Sequence, residues 1–315
     1  MRILIVTPAP RGSRVGNRMT ANRWARLIRK LGHKVQVSDA FVDQKCDLMV
    51  AIHARKTADD IVRFRQHNPD RPIVLLLAGT DLYRDIHTVE KAQRSLEIAD
   101  RLIVLQSEGK NELRAQHRSK CDVIYQSTPP CRRGKPLSRC FEICVIGHLR
   151  SVKDPFRAAL AARDLPAASA IRVVHLGRAL SDSMATRARS EMKRNARYRW
   201  LGEVPAWKAR NYLMRSRAMV ISSKLEGGAN VVSDAVVGGV PILASKISGT
   251  IGQLGKDYAG YFPVGDTSAL TELMHRSETD RRFIQKLETQ IKNRRPLYTQ
   301  RRELASLRTL LSSIE

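Results

Sequence analysis

Short apolar runs alternate with amphipathic stretches along the chain. Residues 2–7, with Ile3, Leu4, Ile5 and Val6, read as a buried strand. A loop over 8–17 follows, rich in Pro, Gly and Arg. Trp24, Leu27, Ile28 and Leu31 then repeat at helical spacing, so a helix is expected over 19–31 with Gly32 as its C-cap. The alternation continues with strands over 35–38, 47–52, 73–77, 101–105 and 122–125. Helices are expected over 58–67, 89–99 and 108–117, and residues 79–85 form a loop. Strands that alternate with helices give a doubly wound parallel sheet, whose ligands bind beyond the carboxyl ends of the strands. Residues 128–139 hold three prolines, one glycine and four basic residues and read as a linker.

The same alternation restarts at Phe141. Strands are expected over 143–146, 171–176 and 198–201, and helices over 156–162, 184–195 and 207–214. Further helices are expected over 269–274, 279–293 and 302–311. Within this half, residues 219–245 read as strand, loop, helix and strand. The strand covers 219–221, and Glu226, Gly227 and Gly228 lie in the loop. Asn230 is expected to cap a helix over 231–237, which Gly238 and Gly239 end before a strand over 240–244. A helix N-terminus suits phosphate, and loop glycines let backbone approach a ligand. With Glu226 before the helix and Asp234 within it, a ligand bearing hydroxyls beside phosphates, such as a nucleotide sugar, would fit.

Composition narrows the partners. The 315 residues suffice for two α/β domains. Lys and Arg number 56 against 30 Asp and Glu, a net charge of +26 that attracts anions. The basic residues are spread along the chain, and aromatics make up only 5%, which is poor for base stacking. No zinc-finger or RNA-binding spacing occurs. No apolar run nears the roughly 20 residues that span a bilayer. The chain goes straight into a strand pattern, and its five cysteines form no Cys-x-x-Cys pair, so reduced thiols and a cytoplasmic location are expected.

The two-domain pattern, with Glu226 followed eight positions later by Asp234, resembles the GT-B glycosyltransferases, in particular glycosyltransferase family 4. That family pairs two glutamates at this spacing, and Asp234 is one methylene shorter. The resemblance implies two Rossmann-like domains facing a cleft: an acceptor-side domain over 1–130, a linker over 131–140, a nucleotide-sugar domain over 141–293, and a terminal helix over 294–315 packing back on the first domain. It places Glu226 by the donor sugar and Asp234 by the ribose, with Gly227, Gly228, Ala229 and Asn230 at the donor. The family carries Gly-Arg-Leu and then Lys after the first strand of the second domain, and this basic pair holds the diphosphate. Here Gly147-His148-Leu149 puts His148 at the arginine position and Lys153 at the lysine, with Arg150 between them as a substitute. Glu226, Lys153 and Arg150 are the catalytic candidates. No cofactor is expected, because a UDP-sugar is a substrate. No metal is expected either, since there is no Asp-x-Asp motif or His/Cys cluster.

The first domain departs from the family. Many members carry His-Gly after the fourth strand, where this chain has Ala78-Gly79-Thr80-Asp81. The segments 12–18, 79–85 and 147–150 together resemble a subgroup, the selenosugar synthases of selenoneine biosynthesis. That resemblance implies transfer from a UDP-sugar, such as UDP-N-acetylglucosamine, to selenophosphate. The acceptor candidates are Arg11, Gly12, Arg14, Asn17, Arg18, Thr80, Asp81 and Arg84, whose arginines would hold a small dense anion. Two other readings compete: transfer to a lipid or polysaccharide at an anionic membrane surface, and a non-catalytic phosphate or nucleic-acid binding module.

Overall fold

A computed structural model describes residues 1–13 and 16–314. The chain divides into two units. The first holds Met1–Ser127 and the terminal segment from Thr299, and the second holds Thr128–Tyr298.

In the first unit the strands are β1 (Arg2–Val6), β2 (Lys34–Ser38), β3 (Leu48–Ile52), β4 (Ile73–Leu77), β5 (Arg101–Val104) and β6 (Cys121–Val123). They form one parallel sheet in the order β2-β1-β3-β4-β5-β6. Its helices are α1 (Gly16–Lys30), α2 (Ala58–His67), α3 (Ile86–Thr88), α4 (Glu90–Ile98) and α5 (Ala115–Arg118). Successive strand residues point to opposite faces, so each central strand is apolar throughout. Ile3, Ile5, Val50 and Ile52 face α1, where Trp24 is fully buried, while Leu4, Val6, Met49 and Leu75 pack on the other face with Ile61 and Phe64 of α2.

In the second unit β7 (Phe141–Ile146), β8 (Ile171–Leu176), β9 (Tyr198–Trp200), β10 (Ala218–Ile221), β11 (Ile242–Ser245) and β12 (Tyr261–Phe262) form a parallel sheet in the order β12-β11-β10-β7-β8-β9. Its helices are α6 (Arg157–Arg163), α7 (Asp182–Arg194), α8 (Ala206–Arg215), α9 (Asn230–Gly238), α10 (Ser248–Leu254), α11 (Thr267–Thr279) and α12 (Arg281–Arg294). The chain leaves β7 to one side through β8 and β9 and returns on the other through β10, β11 and β12. The switch point, where ligands bind in such sheets, therefore lies between β7 and β10.

Several sequence expectations change. The 79–85 segment is a wide helical turn, Asp81–Asp85, rather than a loop, because the Asp81 carboxylate accepts the N–H groups of Ala78 and Gly79 and folds the chain onto itself. The helix expected over 108–117 breaks into a 3-10 turn, Ser107–Glu112, and the short α5, since Leu113 and Arg114 are extended. α10 and β12 were not foreseen. Their segments are short, and Gly249, Gly252 and Gly255 mask the helical period of α10. The expected linker packs on the second unit: Gly134 N–H donates to Met214 O at 3.0 Å and Arg133 to Ser216 O at 2.7 Å. Residues 294–298 also remain with that unit. The closing helix is α13 (Gln300–Ser312), which packs against α1 through Leu307, Leu310 and Leu311.

α13 is pinned by one buried carboxylate. Glu303 accepts from Trp24 Nε1 at 3.1 Å, from the Ser127 N–H at 2.8 Å and from the Ser127 hydroxyl. Burial raises its pKa, opposed by Arg23, Ser127 and Trp24. Glu303→Ala strands these buried donors, each worth about 1–3 kcal/mol unsatisfied, so a loss of about 3 kcal/mol is expected from urea unfolding followed by tryptophan fluorescence. An unchanged midpoint contradicts the pinning role.

Candidate functional site

The carboxyl ends of β7 and β10 border a small open pocket, lined among others by Gly147, His148, Lys153, His175, Ser223 and Glu226. Four of the donor-side candidates thus meet there, drawn from segments 73 residues apart.

The β7 side is fixed by β8. The Gly147 N–H donates to Leu176 O at 2.9 Å, and Gly147 O accepts from His175 Nε2 at 3.1 Å. A carbonyl can only accept, so Nε2 carries the proton and His175 Nδ1 accepts from the Tyr198 hydroxyl at 3.0 Å. Burial drives the imidazole down to about 4, so it stays neutral. At Gly177 a Cβ would lie 1.9 Å from Gly147 O, so only glycine lets β8 come this close. His148 Nδ1 accepts the Arg178 N–H at 3.1 Å. Burial lowers the His148 pKa, helped by Arg178, Arg150 and Lys153 and opposed by Glu203. The residue at the arginine position is therefore a neutral imidazole with its proton on Nε2. It supplies a hydrogen-bond donor rather than a full charge.

The chain then turns through Ser151–Lys153 into Asp154, whose φ of 42° is left-handed. The Ser222 hydroxyl, just past β10, donates to the carbonyls of Lys153 at 3.2 Å and Asp154 at 2.9 Å. The Lys224 N–H donates to Val152 O at 2.8 Å. These bonds bring the Lys153 ammonium onto Glu226 Oε1, which also accepts from the Ser223 hydroxyl at 2.5 Å. Glu226 is 7% exposed, so this is a shielded ion pair rather than a surface contact. Arg150 lies before the turn, exposed and outside the pocket lining.

Beyond Glu226 the loop is clasped by α10. A Cβ on Gly249 would meet Glu226 O at 1.8 Å. Asn230 is the first helical residue of α9 and not its cap. The N-cap is Ala229, which has no capping side chain and whose backbone exchanges hydrogen bonds of 3.0 and 3.2 Å with the buried Gln253 amide. Gly227, Gly228, Ala229 and Asn230 follow Glu226 directly, and Val231 lines the pocket. Asp234 lies outside the lining. It accepts from the Thr128 hydroxyl and sits 4.0 Å from Arg210.

The acceptor candidates lie in the first unit. Arg11 and Gly12 are exposed in the loop after β1, where Gly12 has a φ of 82°. Arg14 lies outside the described residues. Asn17 is half-buried on α1. Arg18 is buried and donates to Ala9 O and to Asp39 at 2.9 Å, so its charge is already neutralised and the role of a free anion-holding arginine does not suit it. Arg84 is exposed and pairs with Asp85 at 3.0 Å. Asp81 is fully buried. It accepts from Ala54, Ala78 and Gly79 N–H, so it organises backbone. Thr80 stands 3.3 Å from Nε2 of His53, a residue that sequence reasoning passed over.

Residues 136–295 match the family described as glycosyl transferases group 1. The chain belongs to this family. It is a glycosyltransferase, which removes the reading as a non-catalytic binding module. No curated protein matches the chain. Among solved structures it is similar to Anabaena HepE in complex with UDP and glucose, at 16% identity over 99% of this chain and 98% of that one, with a TM-score of 0.75. It is likewise similar to sucrose-phosphate synthase from Thermosynechococcus elongatus, at 14% identity, the same coverage and a TM-score of 0.78. A glycosyltransferase from Rickettsia africae aligns at 11% identity, again over 99% and 98%, with a TM-score of 0.75. These likenesses establish the GT-B fold of two Rossmann-like sheets. Among the described residues no helix is long and apolar enough to cross a membrane.

The His175 environment makes a measurable claim. Its folded pKa, about 4, lies below the ordinary 6.5, so the unfolded chain binds the proton more readily. The stability this neutral imidazole confers is complete above pH 6.5 and is lost as pH falls towards 4. It amounts to about 3 kcal/mol in all, with about 2 kcal/mol gone by pH 5. Urea unfolding at pH 7 and pH 5 should show that difference in the wild type and a smaller one in His175→Gln. Equal pH dependence in both proteins rejects the assignment.

Proposed function

We propose that this glycosyltransferase takes its sugar from a UDP-sugar, with UDP-N-acetylglucosamine the expected donor, and transfers it to selenophosphate with formation of a carbon–selenium bond. The observation that carries the donor half is the Lys153–Glu226 pair at the switch point between β7 and β10. A diphosphate entering the pocket meets the Lys153 ammonium and the His148 Nε2–H. Lys153 then stabilises the charge that develops on the leaving diphosphate. As Lys153 turns to phosphate, Glu226 keeps its Ser223 contact and is freed to accept sugar hydroxyls. The complexes of HepE with UDP and with UDP-glucose support a uridine donor. The selenophosphate half rests on the resemblance of segments 12–18, 79–85 and 147–150 to the selenosugar synthases, and on the exposed Arg11 in the loop after β1, with Arg84 on the Asp81–Asp85 turn reaching an anion only if it leaves Asp85. Selenium attacks the anomeric carbon, the bond from that carbon to the diphosphate oxygen breaks, and UDP leaves.

A second reading is favoured by His53. Its imidazole beside Thr80 gives this edge a proton acceptor that the sequence Ala78-Gly79-Thr80-Asp81 lacks, as transfer to a hydroxyl of a lipid or polysaccharide would require. Mass spectrometry of products separates the readings. With UDP-N-acetylglucosamine and selenophosphate, a selenium-bearing sugar and stoichiometric UDP are expected. Glu226→Ala should lower turnover at least a hundredfold with the fold intact by circular dichroism. Donor consumption that ignores selenophosphate moves the hydroxyl acceptor ahead, and wild-type turnover in Glu226→Ala rejects the site.

A further inference from the structure

The carboxyl edge of the first sheet carries a row of buried polar atoms within hydrogen-bond reach of no protein atom among the described residues. They are Thr7 Oγ1 after β1, His53 Nδ1 after β3, Gln106 Oε1 after β5 and Gln126 Oε1 after β6. Buried polar atoms are normally paired, so a row of them along the ligand-binding edge of a parallel sheet marks a place built for polar contacts.

His53 is the most unusual of these. Its φ is 88°, in the left-handed region that a side chain with a Cβ rarely enters, at a cost on the order of 1–3 kcal/mol. The conformation is held from several sides. The His53 N–H donates to Leu76 O at 2.9 Å, and His53 O accepts from the Thr57 N–H at 3.1 Å and the Thr57 hydroxyl at 3.0 Å. This conformation places the imidazole between Thr80 and Asp81, at the start of the turn after β4. Nε2 lies 3.3 Å from Thr80 Oγ1, and Nδ1 lies 3.9 Å from Asp81 Oδ2. Asp81 is itself held by three backbone N–H groups. Of the two neutral tautomers, the one with hydrogen on Nδ1 turns a positive edge to this carboxylate, whereas the other turns a lone pair to it. The first is favoured, so Nε2 accepts from the Thr80 hydroxyl. Carboxylate, imidazole and hydroxyl then stand in the order of a proton relay, at the looser distances found before substrate binds.

We propose that Asp81, His53 and Thr80 form a proton relay that takes up the proton released by the acceptor's nucleophilic group. As the bond from the nucleophile to the anomeric carbon forms and the carbon–oxygen bond to the diphosphate breaks, the nucleophile's proton passes to Thr80 Oγ1. The Thr80 proton moves to His53 Nε2, and Asp81 holds the resulting imidazolium until the proton leaves to solvent. Thr80, half-buried, touches the acceptor; His53, 4% exposed, and Asp81 position and charge it. The charged groups facing His53 are Asp81 and Asp85, which favour imidazolium, and Lys56 and Arg55, which oppose it. Burial is the largest influence and lowers the resting pKa, so the ring is neutral and ready to accept. The relay rests on the glycosyltransferase reading but not on the acceptor's identity, since selenophosphate and an alcohol each shed one proton on transfer.

Two measurements test it. Nitrogen-15 NMR of the imidazole in the full chain requires no acceptor. It should show a neutral ring with hydrogen on Nδ1, a titration midpoint below 6.5, and an Nε2 resonance that moves in Thr80→Val. Hydrogen on Nε2, or a resonance indifferent to Thr80→Val, overturns the relay. Kinetics with UDP-N-acetylglucosamine and selenophosphate should show kcat/KM for the acceptor falling in acid with loss of one proton-accepting group. Both His53→Gln and Thr80→Val should flatten that limb and lower kcat about a hundredfold or more, while Thr80→Ser stays within about tenfold and UDP affinity is unchanged in all. An acid limb that survives His53→Gln, or Thr80→Val with wild-type kcat, overturns the relay. If the wild type turns over no selenophosphate, that acceptor is rejected, and the NMR result alone decides for or against the relay.

Discussion

The ion pair between Lys153 and Glu226 is the contact that ties together the two loops bordering the second unit's pocket. A carboxylate as buried as Glu226 is costly unless a cation and hydrogen-bond donors accompany it. Here Lys153 and Ser223 supply both, and they do so from separate loops. The pair therefore constrains everything that sets the two loops. Ser222 and Lys224 tie the turn before Asp154 to the end of β10, while Gly249 permits α10 to close over Glu226. On the opposite wall, His175 and Gly177 fix Gly147. In the function proposed above the same pair exchanges partners: a diphosphate draws Lys153 away, and the released carboxylate accepts from sugar hydroxyls. Under that proposal one contact serves both the unliganded pocket and the recognition of a donor.

The first unit solves a different problem. Its carboxyl edge is organised by Asp81, which spends its charge on three backbone N–H groups and so converts an expected loop into a helical turn. That turn brings Thr80 to His53. The positive φ of His53 and the row of buried polar atoms within hydrogen-bond reach of no protein atom among the described residues mark this edge as shaped for something other than stability. Cys121 and Cys144 are buried, and both thiols are pushed up to about 12.

Much of this was legible in the sequence, for a physical reason. Central strands of a doubly wound sheet are apolar on both faces, so β1, β3, β4, β7 and β10 stand out as short runs such as Leu75-Leu76-Leu77. Glu226 between a strand and a glycine pair, and Lys153 after Gly147, follow from fixed offsets that survive in one dimension. What was not legible depended on contacts distant in sequence. Asn230 has the chemistry of an N-cap, but the cap falls one residue earlier, on Ala229, whose backbone is held by the distant Gln253 on α10. Arg18 looked like one more loop cation, but Asp39, 21 residues away, neutralises it. His148 stood at an arginine position, and only the Arg178 N–H on Nδ1 shows it to be a neutral donor. His53 followed an ordinary strand, and no local pattern announces a left-handed histidine. The one available signal was a lone histidine between Ile52 and Ala54 at a strand's carboxyl end, which is the ligand-binding edge in this architecture.

The central claim is that Lys153 is held by Glu226 in the free protein and exchanges it for diphosphate when donor binds. A calorimetric titration of UDP into the wild type, Lys153→Met, Glu226→Gln and the double variant measures this directly. Loss of the ammonium should weaken UDP about tenfold to a hundredfold, the worth of one charge-assisted hydrogen bond. Glu226→Gln, which loosens the competing partner, should leave UDP affinity equal or tighter, and the double variant should resemble Lys153→Met. Equal UDP affinity in wild type and Lys153→Met, or a Glu226→Gln variant that loses as much affinity as Lys153→Met, would contradict the account.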